Sequence, residues 1–158
     1  MRRKDREILD KLEIYEIMKK CDSCNVAFFD RIYPYIVPMN FGVELSKDNY
    51  TLYFHGAYAG TKVELMKTNP HVAFEMDCNH KILLDEIACK STMEYESVCG
   101  NGIIEIVPEE DKIEALNILM GQYQDRKDNK FKLEELSSVC VLRIRVNSIS
   151  AKRLIRKG

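Results

Sequence analysis

A strand-like run, Tyr50-Thr51-Leu52-Tyr53-Phe54-His55, stops at Gly56, and Ala57-Tyr58-Ala59-Gly60-Thr61-Lys62 follows it. A strand end, a loop of small residues and a helix opening on a hydroxyl and a lysine make an order with chemistry in it. Backbone N–H groups at a helix start, helped by the helix dipole, bind anions, and glycine lets a phosphate approach closely. Lys62 would add a point charge. The spacing is not that of the triphosphate-binding loop Gly-x4-Gly-Lys-Ser/Thr. Only three residues separate Gly56 from Gly60, Thr61 stands before Lys62, and Val63 follows it. Asp77 ends an apolar strand, as a metal-binding acid of such enzymes would, but the elements do not alternate β-α-β. That argues against a nucleoside triphosphatase. By themselves these residues leave two readings open: a phosphate site, or a glycine loop capping a surface helix.

The six cysteines are Cys21, Cys24, Cys78, Cys89, Cys99 and Cys140. Cys21-Asp22-Ser23-Cys24 is the suggestive pair. A zinc or iron–sulfur site needs a second pair, and the next donors, Cys78, His80 and Cys89, do not form one. A redox Cys-x-x-Cys opens a helix, whose dipole lowers the first thiol's pKa, whereas this pair follows one. Structural free thiols in a reducing compartment are the reading. Gly100-Asn101-Gly102 is half a dinucleotide fingerprint. Its third glycine is missing and Ile103-Ile104-Glu105-Ile106 continues as strand, so a bulge or bend is expected. His71 and His80 read as surface residues.

The elements that must position these groups come from periodicity. Asp10 and Glu13 form a capping pattern, and Ile14, Ile17, Met18 and Cys21 share a helical face, predicting a helix that ends near Lys20. From residue 26 the period becomes that of strands: 26–29, a turn, then 34–41, with Pro38 demanding a free edge or a bulge. Ser46-Lys47-Asp48-Asn49 is a turn before the Tyr50 to His55 strand. A short helix through Val63, Leu65 and Met66 stops at Pro70. Residues 71–77 form a strand, 78–93 are ambiguous with a short strand at 82–84, and 95–107 form one or two strands around the glycines. Pro108-Glu109-Glu110-Asp111 opens a long helix with Ile113, Leu116, Leu119 and Met120 as its buried stripe. A polar loop at 127–132, a last strand at 139–149 and a basic tail at 152–157 complete the pattern. Many strands with few helices between them predict a single mainly β (α+β) domain over residues 1–158, an antiparallel barrel with flanking helices.

Composition sets outer bounds. The chain has 158 residues, 46% apolar and 31% charged, with 24 Lys+Arg against 25 Asp+Glu and a net charge of −1. That excludes general disorder and a surface built throughout to attract nucleic acid. Apolar runs such as Val26-Ala27-Phe28-Phe29 fall far short of a membrane helix, and no apolar stretch follows Met1-Arg2-Arg3-Lys4-Asp5. A soluble, cytoplasmic protein without membrane or nucleic-acid partners is expected.

Five segments in order resemble one family. They are Pro34-Tyr35-Ile36-Val37-Pro38-Met39-Asn40-Phe41, Leu52-Tyr53-Phe54-His55-Gly56-Ala57, Gly60-Thr61-Lys62, Asn69-Pro70-His71-Val72 and Tyr95-Glu96-Ser97-Val98-Cys99-Gly100-Asn101-Gly102. The set, spanning residues 5–150 or so, resembles the pyridoxamine 5′-phosphate oxidase-related flavoproteins, in the branch with nitroimidazole-resistance (Nim-type) proteins. The resemblance implies a split-barrel homodimer with FMN at the subunit interface and electrons passing from a small-molecule donor to a small-molecule acceptor. Pro38, Met39 and Asn40 would then lie along the flavin ring. His55, Gly56, Ala57, Gly60, Thr61 and Lys62 would hold the phosphate, and Ser97, Val98 and Gly100 would complete the pocket. His55 is the candidate catalytic group, and Lys152 and Arg153 are basic groups that could reach the partner's phosphate. True pyridoxamine phosphate oxidases carry several phosphate-binding arginines, whereas this chain has none between Arg31 and Arg126. The Nim-like branch, reducing small acceptors such as nitroimidazoles, is therefore favoured over vitamin B6 oxidation. The rival class is a non-enzymatic module holding flavin, haem, or a metal through Cys21, Cys24, Cys78 and His80.

Overall fold

A computed structural model describes residues 3–124 and 129–156. Its strands are β1 (Glu7–Ile8), β2 (Cys24–Phe28), β3 (Tyr35–Met39), β4 (Phe41–Ser46), β5 (Asn49–Gly56), β6 (His71–Leu83), β7 (Thr92–Ile106) and β8 (Cys140–Leu154). All pair antiparallel in the order β3-β2-β6-β7-β8-β5-β4, with β1 added along β8. β3 and β4 are the two ends of that order and do not pair with each other, which makes the architecture a split antiparallel barrel.

Alternation explains why the sheet curls around one core. Successive side chains on a strand point to opposite faces, and the buried set is Val26 and Phe28 on β2, Leu52 and Phe54 on β5, Leu142 and Ile144 on β8. Cross-strand register brings them together: Phe54 sits opposite both Phe41 and Leu142. Removing a side chain such as Phe54 from this packing would cost about 3–5 kcal/mol. Helix α1 (Lys11–Lys20) adds Ile14, Ile17 and Met18 to the same interior, and the Asp10 side chain accepts from Glu13 N–H at 2.8 Å, as the capping pattern anticipates. Helix α2 (Thr61–Thr68) follows the glycine loop. Helices α3 (Lys112–Tyr123) and α4 (Leu133–Ser138) cover the outer face, where Leu116 and Leu136 pack with Val141 in a second, smaller core.

Several sequence expectations change. The 34–41 run is two strands broken at Asn40; Pro38 lies on β3, whose far side is free, as its missing N–H requires. β6 continues to Leu83 through an irregularity after Cys78, where Asn79 takes φ +58°, so 78–83 belongs to a long hairpin arm. β7 is one strand with a register shift between Asn101 and Gly102, the expected bulge. On α3 the buried stripe is rotated: Ala115, Leu116 and Leu119 are buried and Ile113 is 48% exposed, while Lys112 is enclosed. Helix α4 was not anticipated, and β8 runs on through Leu154 into the supposed basic tail. Of the expected polar loop, residues 127 and 128 lie outside the described residues.

Candidate anion and cofactor site

The end of β5, the loop after it and the start of α2 form the candidate site. Gly60 is the N-cap of α2 at φ +118°, a backbone conformation that strongly favours glycine, and no side chain caps this helix start. A Cβ built on Gly60 would meet nothing within 4 Å, so the space over the first turn is open. Gly56 marks where the flexible head of Lys62 lies. A Cβ there would come within 2.5 Å of Lys62 Nζ. The ammonium thus folds back over the strand end. Its one hydrogen-bond-range contact among the described residues is the Met39 Sδ at 3.8 Å, a weak acceptor for a cation.

That contact also brings the end of β3 to the loop. Met39 is buried, while Pro38 and Asn40 are exposed on either side of it. Asn40 Nδ2 donates to the Asp22 carbonyl (3.1 Å) and to Tyr123 Oη (3.3 Å), which holds the β3–β4 corner. On the far side of Gly56, Cys140 stands opposite in the register. Burial pushes its thiol up, and the positive fields of Lys62, Lys112 and Lys67 act against that shift. Of these three lysines, Lys112 is paired with the Glu109 carboxylate at 3.1 Å.

The structure does not bring every expected residue here. His55 stands beside Gly56 on β5, so its side chain projects to the opposite face, where it lines a cavity of about 210 Å³ with Leu116, Met120, Phe131 and Val139. It shares no face with Lys62. Val98 is wholly buried in the core, and Gly100 lies against Phe74, on a strand separated from β5 by β8. Ser97 sits half-buried across from Asp77 and Lys152.

The Arg153 guanidinium is engaged by Glu96 and Glu13 of its own chain. The Glu96 side chain is only 3% exposed and also accepts from Lys20 (3.1 Å) and Asn79. Burial alone would raise the Glu96 carboxyl, but the hydrogen bonds from Lys20, Arg153 and Asn79 outweigh it and hold the carboxyl below its ordinary value.

Among the described residues no three His, Cys, Asp or Glu side chains gather as a metal cluster, so Cys21, Cys24, Cys78 and His80 do not form the rival site. All six cysteines are free. Burial pushes the Cys21 and Cys24 thiols well up, away from the reactive thiolate form. No helix among the described residues is long and apolar enough to cross a membrane.

Two contacts were invisible in the sequence. Lys112 Nζ reaches Tyr58 Oη at 3.1 Å, and Tyr123 Oη accepts from the Phe41 N–H at 2.9 Å. Pairs separated by 54 and 82 residues leave no local signal.

A split antiparallel barrel with flanking helices defines the class of protein. Residues 10–153 match the pyridoxamine 5′-phosphate oxidase family, and the chain belongs to it. It is similar to the structure of a candidate 5-nitroimidazole antibiotic resistance protein from Bacteroides thetaiotaomicron VPI-5482. The identity is 31%, the TM-score 0.80, and the match covers 93% of this chain and 86% of that one. Its fold is also that of a FAD and heme binding protein from Mycobacterium smegmatis (15% identity, TM-score 0.81, 94% of this chain and 73% of that one). A FAD-binding protein from Mesorhizobium loti shares it too (20% identity, TM-score 0.63, 93% and 96%). No curated protein sequence matches the chain.

Proposed function

We propose that this protein binds FMN as a homodimer and acts as a flavin-dependent oxidoreductase of the Nim-like kind. In this reading it passes electrons from a reduced nicotinamide or similar donor to a small acceptor such as a nitroimidazole. The observation that carries the reading is Lys62: an ammonium without an anionic partner among the described residues, folded over Gly56 beside an uncapped helix start. A phosphate monoester supplies the charge this cradle lacks. Gly56, Ala57, Gly60, Thr61 and Lys62 would hold it, with backbone N–H groups and the ammonium as donors. Pro38, Met39 and Asn40 would lie along the ring, where the free edge of β3 offers backbone groups to its polar rim. His55, on the other face, is left out of the phosphate set. Bound flavin would supply the electron-carrying chemistry, while the chain binds, orients and excludes water.

The homodimer is supported by surface chemistry. On the outer face of β3, β2 and β6 Ile36 and Ala73 are exposed, and the β2–β3 turn beyond it presents Phe29, Ile32 and Tyr33 exposed around a cavity of about 380 Å³. Apolar exposure on that scale marks an interface. A tricyclic ring also needs a cleft deeper than one barrel's surface, and a two-fold interface gives two. Purified protein is expected to be yellow with one FMN per chain, to scatter light as a dimer and to melt at higher temperature with added FMN. A colourless protein that takes up no FMN overturns the reading. Anaerobic reduction of the bound flavin by NADH or NADPH, followed by turnover with a nitroimidazole, tests the activity.

A further inference from the structure

Helix α3 touches both halves of the candidate site. At its first residue, Lys112 Nζ donates to Tyr58 Oη (3.1 Å), within the loop between β5 and α2, and to the Glu109 carboxylate (3.1 Å). At its last residue, Tyr123 Oη accepts from the Phe41 N–H (2.9 Å) and from Asn40 Nδ2 (3.3 Å), and donates to the Asp22 carbonyl (2.9 Å). Between the two ends the helix backbone rests directly on β4. A Cβ on Gly42 would come within 2.5 Å of Leu119 Cα, which leaves no room for the helix to slide inward.

Lys112 is a poor choice for a helix start if the helix were all that mattered. A cation at an N-terminus opposes the helix dipole. Its side chain is only 3% exposed, and an enclosed ammonium is costly unless its donors are met. Burial therefore lowers its proton affinity, yet the hydrogen bonds to Tyr58 and Glu109 more than restore it, and the group stays charged. What the residue accomplishes at that cost is an anchor for Tyr58, two residues before Gly60.

We propose that Lys112 and Tyr123 are positioning residues at the two ends of a strut, α3. The strut fixes the separation and orientation of the anion loop at 57–62 relative to the strand end at 38–40. Neither residue touches the ligand. The inference rests on the FMN reading above, and it assigns different duties to the two ends: Lys112 serves the phosphate, and Tyr123 serves the ring.

Riboflavin, which is FMN without the phosphate, separates those duties. Dissociation constants for both are measured by flavin fluorescence quenching on the flavin-stripped full-length protein, for wild type, Lys112→Met, Tyr58→Phe and Tyr123→Phe. Lys112→Met is expected to weaken FMN by about tenfold, the equivalent of one charge-assisted hydrogen bond, and to leave riboflavin within about twofold. Tyr58→Phe removes no charge and should act in the same direction; it also decides the matter if Lys112→Met does not fold. Tyr123→Phe should weaken both flavins by the same factor. If Lys112→Met weakens FMN while Tyr58→Phe does not, the effect is the field of the ammonium and positioning is overturned. Unchanged FMN-to-riboflavin ratios in Lys112→Met and Tyr58→Phe overturn the strut, provided wild type prefers FMN. Equal affinities in wild type overturn the phosphate reading itself, and the strut with it.

Discussion

Among the places where this barrel gathers positive charge, two differ in what answers it. Around Glu96, the cations of Lys20 and Arg153 close on one buried carboxylate, with Glu13 and Asn79 completing the set. Around Gly56, Lys62 has only a thioether within reach among the described residues, while nearby Lys112 is already met by Glu109. What distinguishes them is internal neutralisation. A saturated cluster contributes to the fold, whereas the Lys62 ammonium meets no carboxylate among the described residues. Arg153, near the end of β8, is engaged by Glu96 and Glu13 within the chain.

The contrast breaks if the two clusters exchange phenotypes. Glu96→Ala should cost about 2–3 kcal/mol of stability, since it removes the buried carboxylate that Lys20, Arg153 and Asn79 share, and should leave FMN affinity unchanged. Denaturant titration and FMN titration on the same variant check both halves. Lys62→Ala should do the reverse, weakening FMN by about 1–3 kcal/mol with little change in melting temperature of the flavin-free protein. An unchanged FMN dissociation constant would reduce the β5–α2 loop to a turn.

Acid sharpens the comparison further. Glu96 is held below its ordinary value in the fold, so the stability it contributes is present above the unfolded carboxylate's pKa and is lost as pH falls through the lowered one. Glu105 behaves likewise: burial raises it, but Arg143 and Arg145 pull it lower still. Melting temperature should therefore fall on acidification below the ordinary carboxylate range. The fall should be shallower in Glu96→Gln, where one of the two contributions is gone. The smallest expected effect is on salt. FMN affinity in wild type should decline with ionic strength to the extent that Lys62 is solvated, and the slope should flatten in Lys62→Ala.

How much of this was legible depended on distance along the chain. The first helix was readable because Asp10 and Glu13 are three residues apart and its apolar residues repeat with the helical period. The β5–loop–α2 order was readable for the same reason: its glycines, hydroxyl and lysine lie within one short stretch. The arm at 78–83 was not. Its partners are Thr92 to Glu96, and its exposed residues show no one-sided alternation. Alpha-helical phase also misled on α3, where Ile113 looks like core. The helix instead turns Lys112 inward, because Tyr58 and Glu109 wait there as hydrogen-bond partners. Helix α4, six residues long with Glu134 and Glu135 in its first turn, carries too short a pattern to be seen at all. Whether a cation is engaged or idle is a property of contacts between distant residues, and no local spacing reports it.

The split itself has a consequence for how the chain reaches this shape. β3 and β4 are the outermost strands of the sheet, six inter-strand steps apart along its order, yet only Asn40 joins them. Laid flat, six steps at about 4.8 Å would separate these edges by about 29 Å. Two peptide units can reach across only about 7 Å. A flat sheet of this connectivity is therefore covalently impossible, and curling is imposed by one residue rather than by hydrogen bonds across the gap. Asn40 works as a clasp on an open ring. The clasp can close only after the middle of the ring exists, and that middle is built from pairings as remote as Thr51 with Arg145, 94 residues apart. Folding must then wait for contacts of high sequence separation, so the chain should fold slowly for its length, its two free edges being the last parts to find their places.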